Sequence, residues 1–136
     1  MPSLQLSQTL DGQEFDIFNV AIATPPQEFN LPLADGIENG GNTSTYWKSQ
    51  EGIVYVRWCV MKTGGNHQNG DVFATLPEGF RPKQRILFAG IGDMISSGTG
   101  VIAAEIAINT NGNMQLVYAN SAPTWVVGEA VFIATS

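Results

Sequence analysis
Charge is what this sequence has least of. Only 13% of its 136 residues are Asp, Glu, Lys or Arg, about half the ~25% usual in a soluble globular domain. Six bases against twelve acids leave a formal net charge of −6. A free nucleic-acid binder needs the opposite excess to neutralise phosphate, so no nucleic-acid partner is expected. No apolar run approaches the ~18–20 residues of a membrane span, so no membrane insertion is expected either. Cysteine is reduced to Cys59 and histidine to His67. A single Cys forms no internal disulfide, and one Cys with one His falls short of a zinc-ligand set. Neither a metal nor a cofactor is expected. The opening residues MPSLQLSQTL hold no Lys or Arg and no long apolar stretch, unlike a secretory signal. Made as an independent product, the chain is expected to stay in the cytoplasm.

Apolar residues make up 43% of the chain, aromatics 10%, and fifteen positions are Gly. That content excludes a disordered polymer and leaves one soluble domain with a surface of Asn, Gln, Ser, Thr and Gly. Its dominant pattern has a period of two. In residues 53–61 the even positions Val54, Val56, Trp58 and Val60 are all apolar, while the odd ones mix Tyr55, Arg57 and Cys59. That is a half-buried strand, with Trp58 in the core and Cys59 as a packed strand residue. Residues 101–108 alternate likewise, with Glu105 opposite Ile102, Ile106 and Ile108. Residues 85–89, 114–119 and 130–134 are further strands by their β-branched and aromatic content.

Turn chemistry separates these runs. Asn111-Gly112 suits a tight hairpin, because both residues tolerate positive φ. Asn39-Gly40-Gly41 and Asn69-Gly70-Asp71 mark longer loops, and Leu76-Pro77-Glu78-Gly79-Phe80-Arg81-Pro82 is a rigid turn. Helical periodicity is weak, the best candidate being a short turn over residues 4–10. The expected fold is all-β: an antiparallel β-sandwich or jelly-roll-like barrel of about seven to nine strands. Residues 1–28 contain no base and read as an extended N-terminal arm, for attachment or inter-subunit packing. Within it, residues 16–23 form a possible strand that Thr24-Pro25-Pro26 terminates. The sandwich domain is placed at 29–136.

Residues with chemistry to offer are few. Most acids stand in or beside turns, as Asp35 before Gly36 and Glu51 before Gly52 do, which accounts for them without catalysis. There is no Gly-x-Ser-x-Gly elbow and no Gly-Lys-Ser/Thr phosphate loop. No catalytic residue is assigned. Sugars are bound by flat aromatic faces and planar amides. Tyr46 and Trp47, following an Asn/Gly-rich loop, and Asn66 and His67, in a Gly-rich loop read as exposed, are therefore the candidate ligand contacts. Trp47 and Trp125 are expected to be half-buried. All six bases lie between Lys48 and Arg85, among only three acids, so nine acids and no base remain elsewhere. If extended, Arg81, Lys83 and Arg85 form a cationic stripe. It would guard a sheet edge, or contact an acidic segment of another subunit or an anionic polymer.

Several of these segments occur together in a known context. Phe29-Asn30-Leu31-Pro32-Leu33, Tyr46-Trp47-Lys48, residues 52–57, the stretch Ala74 to Pro82, the stretch Asn111 to Val117 and the closing run from Trp125 to Ile133 follow one order. Across about residues 29–136 the chain resembles the β-sandwich domains of receptor-binding and baseplate proteins at the tail tip of siphophages infecting Gram-positive bacteria. The resemblance implies a non-enzymatic homotrimer in the tail tip of a virion, assembled in the host cytoplasm among other tail-tip proteins. It would serve host adhesion through cell-wall saccharide, or anchoring and adaptor work in tail assembly. The alternative of another class is a small phage glycan-degrading enzyme acting on the host wall.

Overall fold
The computed structural model describes residues 25–94 and 100–134. The expected strand over 16–23 and the helical turn over 4–10 lie outside them. Nine strands are present among the described residues: β1 (Phe29–Asn30), β2 (Ile37–Asn39), β3 (Thr45–Lys48), β4 (Ile53–Lys62), β5 (Val72–Thr75), β6 (Ile86–Met94), β7 (Gly100–Ile108), β8 (Asn113–Ala119) and β9 (Trp125–Ile133). All pairings are antiparallel. The order across the sheet is β1-β3-β4-β9-β6-β7-β8-β5, with β2 paired to β4.

This sheet curls until its ends meet. Leu33, just after β1, bridges Ala74 in β5; Ala34 N donates to Phe73 O at 3.0 Å and Thr75 N to Pro32 O at 3.1 Å. Curling hides the edge groups of short strands and encloses one core. In β4 the alternation read from sequence is realised, with Val54, Val56, Trp58 and Val60 all buried. Phe73 and Leu76, Ile106 and Ile108, Met114 and Leu116, and Val126 and Phe132 complete the core from the other strands. Cys59 is a buried free thiol. The all-β expectation holds.

Two strands run longer than their sequence signal. β6 passes through Gly90 and Gly92, where added Cβ atoms would lie 3.0 Å from Ile106 Cγ1 and 2.9 Å from Pro123 Cβ. β9 passes through Gly128, over which the Trp58 indole lies. Glycine here permits close packing inside a strand. The hairpin after β7 has Gly112 at φ +90°, with Asn109 N bonded to Asn113 O at 2.9 Å.

The Leu76–Pro82 turn is fastened at three points. Arg81 Nε donates to Leu76 O at 2.8 Å, and Lys48 Nζ donates to Gly79 O at 2.7 Å. Phe80 meets the Tyr46 ring edge-on at 4.8 Å. Lys48 also lies 5.0 Å above Phe80, a cation–π contact that keeps its charge near the surface.

Candidate functional site
The residues singled out from the sequence do not come together. Tyr46 is buried, stacked on Phe29 at 5.4 Å and set against Phe80, so it serves the core. Asn66 is half-buried, its Nδ2 bonded to Ala122 O at 3.2 Å. Trp47 stands opposite Tyr55 on β4, whereas His67 Nε2 contacts the Val60 carbonyl at 3.2 Å. Those positions are five residues apart along β4, about 17 Å at ~3.3 Å per residue. Trp47 and Trp125 are half-buried as expected.

His67 corrects an expectation. It is completely buried, not on an exposed loop. The loop is pinned rather than free: Asp71 accepts from Lys62 Nζ and from Gln68 N, both at 2.9 Å. Gly70 N donates to Leu116 O at 2.7 Å, and His67 N to Pro123 O at 2.8 Å. These bonds drive the imidazole inward, and its Nδ1 has no partner among the described residues. Burial pushes the His67 pKa below its ordinary value, outweighing the Val60 carbonyl and Asp71, which raise it.

That shift has a pH signature. Unfolded His67 takes up a proton as pH falls through about 6.5, while the folded ring resists it. The associated stability is fully present above about 6.5 and is lost as pH falls towards the lower folded value. We predict that the urea midpoint holds from pH 8 to 7 and declines from 6.5 to 5, with a slope of at most ~1.4 kcal/mol per pH unit from this one group. His67→Gln keeps a donor for Val60 O and should flatten that decline. An equal slope in the variant would refute the assignment.

The cationic stripe also takes another form. Its premise was an extended chain, but residues 83–84 bend. Arg81 turns back to Leu76 O, and Arg85 Nε bonds Asn109 Oδ1 at 2.9 Å. Lys83 and Arg85 are exposed, and among the described residues neither has an ion-pair partner.

What the structure does assemble is a polar-aromatic platform on the outer sheet face. Outward positions of β3, β4 and β9 fall side by side: Trp47 opposite Tyr55, and Arg57 opposite Glu129. The Trp47 and Tyr55 rings are 5.3 Å apart and inclined by 32°. The Tyr55 hydroxyl donates to Glu129 Oε1. This bond raises the Tyr55 pKa, helped by burial and the Glu129 charge and opposed by Arg57. Beside the platform, Asn42 and Thr43 wall a groove of about 410 Å³ that also takes in Arg57 and Glu129. Flat rings next to a carboxylate and a guanidinium can stack on a sugar ring and bond its hydroxyls. Sequence reading found Trp47 but missed its partners. Tyr55 and Arg57 lay on the polar face of the clearest strand; Glu129 is joined to them only by pairing with a strand 74 residues away.

A second outer feature is apolar. Across β6, β7 and β8 a trough of about 800 Å³ is floored by Ala89 and Ala103 and flanked by Leu87, Glu105 and Tyr118. Leu87 is 51% exposed, Tyr118 55% and neighbouring Val101 65%. No group of three or more potential metal ligands occurs among the described residues.

No protein-family model matches the chain, and no curated protein does. Among solved structures, the receptor binding protein (gp15) of Listeria phage PSA superposes on it with a TM-score of 0.69. The match covers 88% of this chain and 70% of that one, at 17% sequence identity. The two chains share a fold. The resemblance read from the strand and turn segments therefore holds for architecture. The 17% identity carries no residue-level roles, so the platform and trough rest on their own geometry.

Proposed function
We propose that this chain is a receptor-binding module of a phage tail tip, acting as a homotrimer in adhesion to cell-wall saccharide. The observation that carries the reading is the curled antiparallel fold, shared over 88% of the chain with a protein described as a phage receptor binding protein. The Trp47–Tyr55 platform, with Arg57 and Glu129, supplies the saccharide contact. The trough between Leu87 and Tyr118 supplies the contact between copies, since exposed apolar patches mark interaction sites and interface cores are poor in charge.

Labelled protein should attach saturably to Gram-positive host cells, with free cell-wall saccharide competing. Trp47→Ala and Glu129→Gln should each weaken attachment about tenfold or more, equivalent to ~1.4 kcal/mol, while His67→Gln should leave it unchanged. Absence of saturable attachment, together with co-purification with tail proteins, would favour an anchoring role and overturn the adhesion reading. Attachment undiminished in Trp47→Ala would remove the platform. Light scattering should give three copies; a stable monomer at micromolar concentration would end the trimer.

A further inference from the structure
The trough across β6, β7 and β8 carries one charge. Glu105 stands exposed among Leu87, Ala89, Ala103 and Tyr118, and among the described residues no base pairs with it. A surface that covers the trough takes this carboxylate out of water, which is costly unless a cation arrives with it. Two troughs meeting about a two-fold axis would confront two Glu105 carboxylates, and like charges across an interface repel. The occupant that fits is a different surface, one with projecting apolar side chains and a base beside them.

The same chain presents such a surface. Ile53 pairs with Ile133, and Tyr55 with Val131. Tyr55 belongs to the outward platform, so strand alternation turns Ile53, Val131 and Ile133 outward with it. Val131 is 59% exposed and Ile133 71%. Pro82 bridges Ala134 in antiparallel sense, which brings the next residue, Lys83, to the level of Ile133. Lys83 is exposed and has no ion-pair partner among the described residues. Arg57 and Glu129 lie two to four residues farther along β4 and β9, about 7–13 Å at ~3.3 Å per residue, so the platform borders this ridge and stays open. The ridge sits on β4 and β9, the trough on β6 to β8, and the curl of the sheet points the two in different directions.

We infer that the ridge of Ile53, Val131 and Ile133 seats in the trough of a neighbouring copy, pairing Lys83 of one copy with Glu105 of the next. The inference rests on the proposed contact between copies and specifies it. Shape agrees. Ala89 and Ala103 floor the trough where larger side chains would fill it, leaving about 800 Å³, while the ridge residues are all branched and project from their strands. Charge agrees as well, since the ridge brings the base that the covered Glu105 requires. Water leaving the contact strengthens that pair, and removing either member strands the other. The contact joins unlike patches, so each copy offers one ridge and one trough. Unlike patches close into a ring rather than a two-fold pair, and three copies in a ring leave neither patch uncovered.

Charge reversal followed by light scattering on the full chain tests it. Glu105→Lys and Lys83→Glu should each raise the concentration of half-dissociation about tenfold or more. The double variant Lys83→Glu/Glu105→Lys should return to within about threefold of the wild type. Both side chains are exposed, so the far-ultraviolet circular dichroism of each variant should match the wild type. Ile133→Asp should dissociate the copies without touching either charge. Trimers that survive both single reversals overturn the inference while the trimer itself stands, and so does a double variant that remains dissociated. Recovery of Glu105→Lys by Arg85→Glu, and not by Lys83→Glu, would overturn the ridge as the occupant. A monomeric wild type would remove the contact between copies and this inference with it.

Discussion

Gly112→Ala should cost about 3–5 kcal/mol of folding stability, a large fraction of the ~5–15 kcal/mol a domain of this size commands. Two effects combine. Gly112 has φ +90°, a conformation that costs an L-residue about 1–2 kcal/mol. The added Cβ would also fall 2.2 Å from the Leu76 carbonyl oxygen and 2.8 Å from Arg81 Nε. That oxygen cannot easily retreat: it accepts from Arg81 Nε, while Leu76 N is tied to Gly112 O at 2.9 Å. Substitution therefore separates the β7–β8 hairpin from the Leu76–Pro82 turn, and the turn holds Phe80 against Tyr46. Urea unfolding should show a lower midpoint with an unchanged slope. A loss under about 1 kcal/mol would show that the hairpin shifts freely and that the turn is not its anchor.

How much of this was legible beforehand depends on whether a feature is local. The alternation in β4 and β7 and the burial of Trp58 each follow from neighbouring residues, and each is as expected; the Asn111-Gly112 hairpin forms too, though of the pair only Gly112 has positive φ. β6 and β9 were read too short, because Gly90, Gly92 and Gly128 look like strand breakers until the side chain lying on each is known. The seven-residue turn from Leu76 was recognised as rigid, yet its work is long-range, reaching Lys48, Tyr46 and Gly112. His67 misled for a related reason. A run of Gly, Asn and Gln normally marks an exposed loop, but Asp71, Lys62 and the β8 backbone fold this one inward. The candidate site followed the same division. Trp47 was visible in the sequence; its alignment with Tyr55, Arg57 and Glu129 is a product of strand register.

Scarcity of charge takes on a location in the fold. Of the outward positions on β6, β7 and β9, only Asp93, Glu105 and Glu129 are charged. Glu129 is engaged by Tyr55. The remaining outer positions present Leu87, Ile91, Val101, Val131 and Ile133 to solvent, the kind of exposed apolar side chain that marks an interaction site when grouped. The trough offered as the contact between copies takes up part of that region. The proposed contact between copies thus draws on the deficit of charge, and light scattering tests it.

Gly128→Ala should be the second most damaging change, at about 3 kcal/mol, and its cost should depend on Trp58. The added methyl would sit 2.6 Å from Trp58 Cζ2 and 2.9 Å from Cε2. Trp58 is 2% exposed and packs on Phe73, with ring centroids 6.0 Å apart. A ring so enclosed shifts only at the expense of its neighbours, so the strain falls on the β4–β9 pairing, as overpacking does elsewhere. If the indole is the whole obstacle, removing it removes the penalty. In a Trp58→Leu background, itself destabilised by lost burial, Gly128→Ala should then cost almost nothing. The double-mutant coupling should be about 2 kcal/mol or more. Additive costs would mean that Gly128 is required by its backbone rather than by the ring above it.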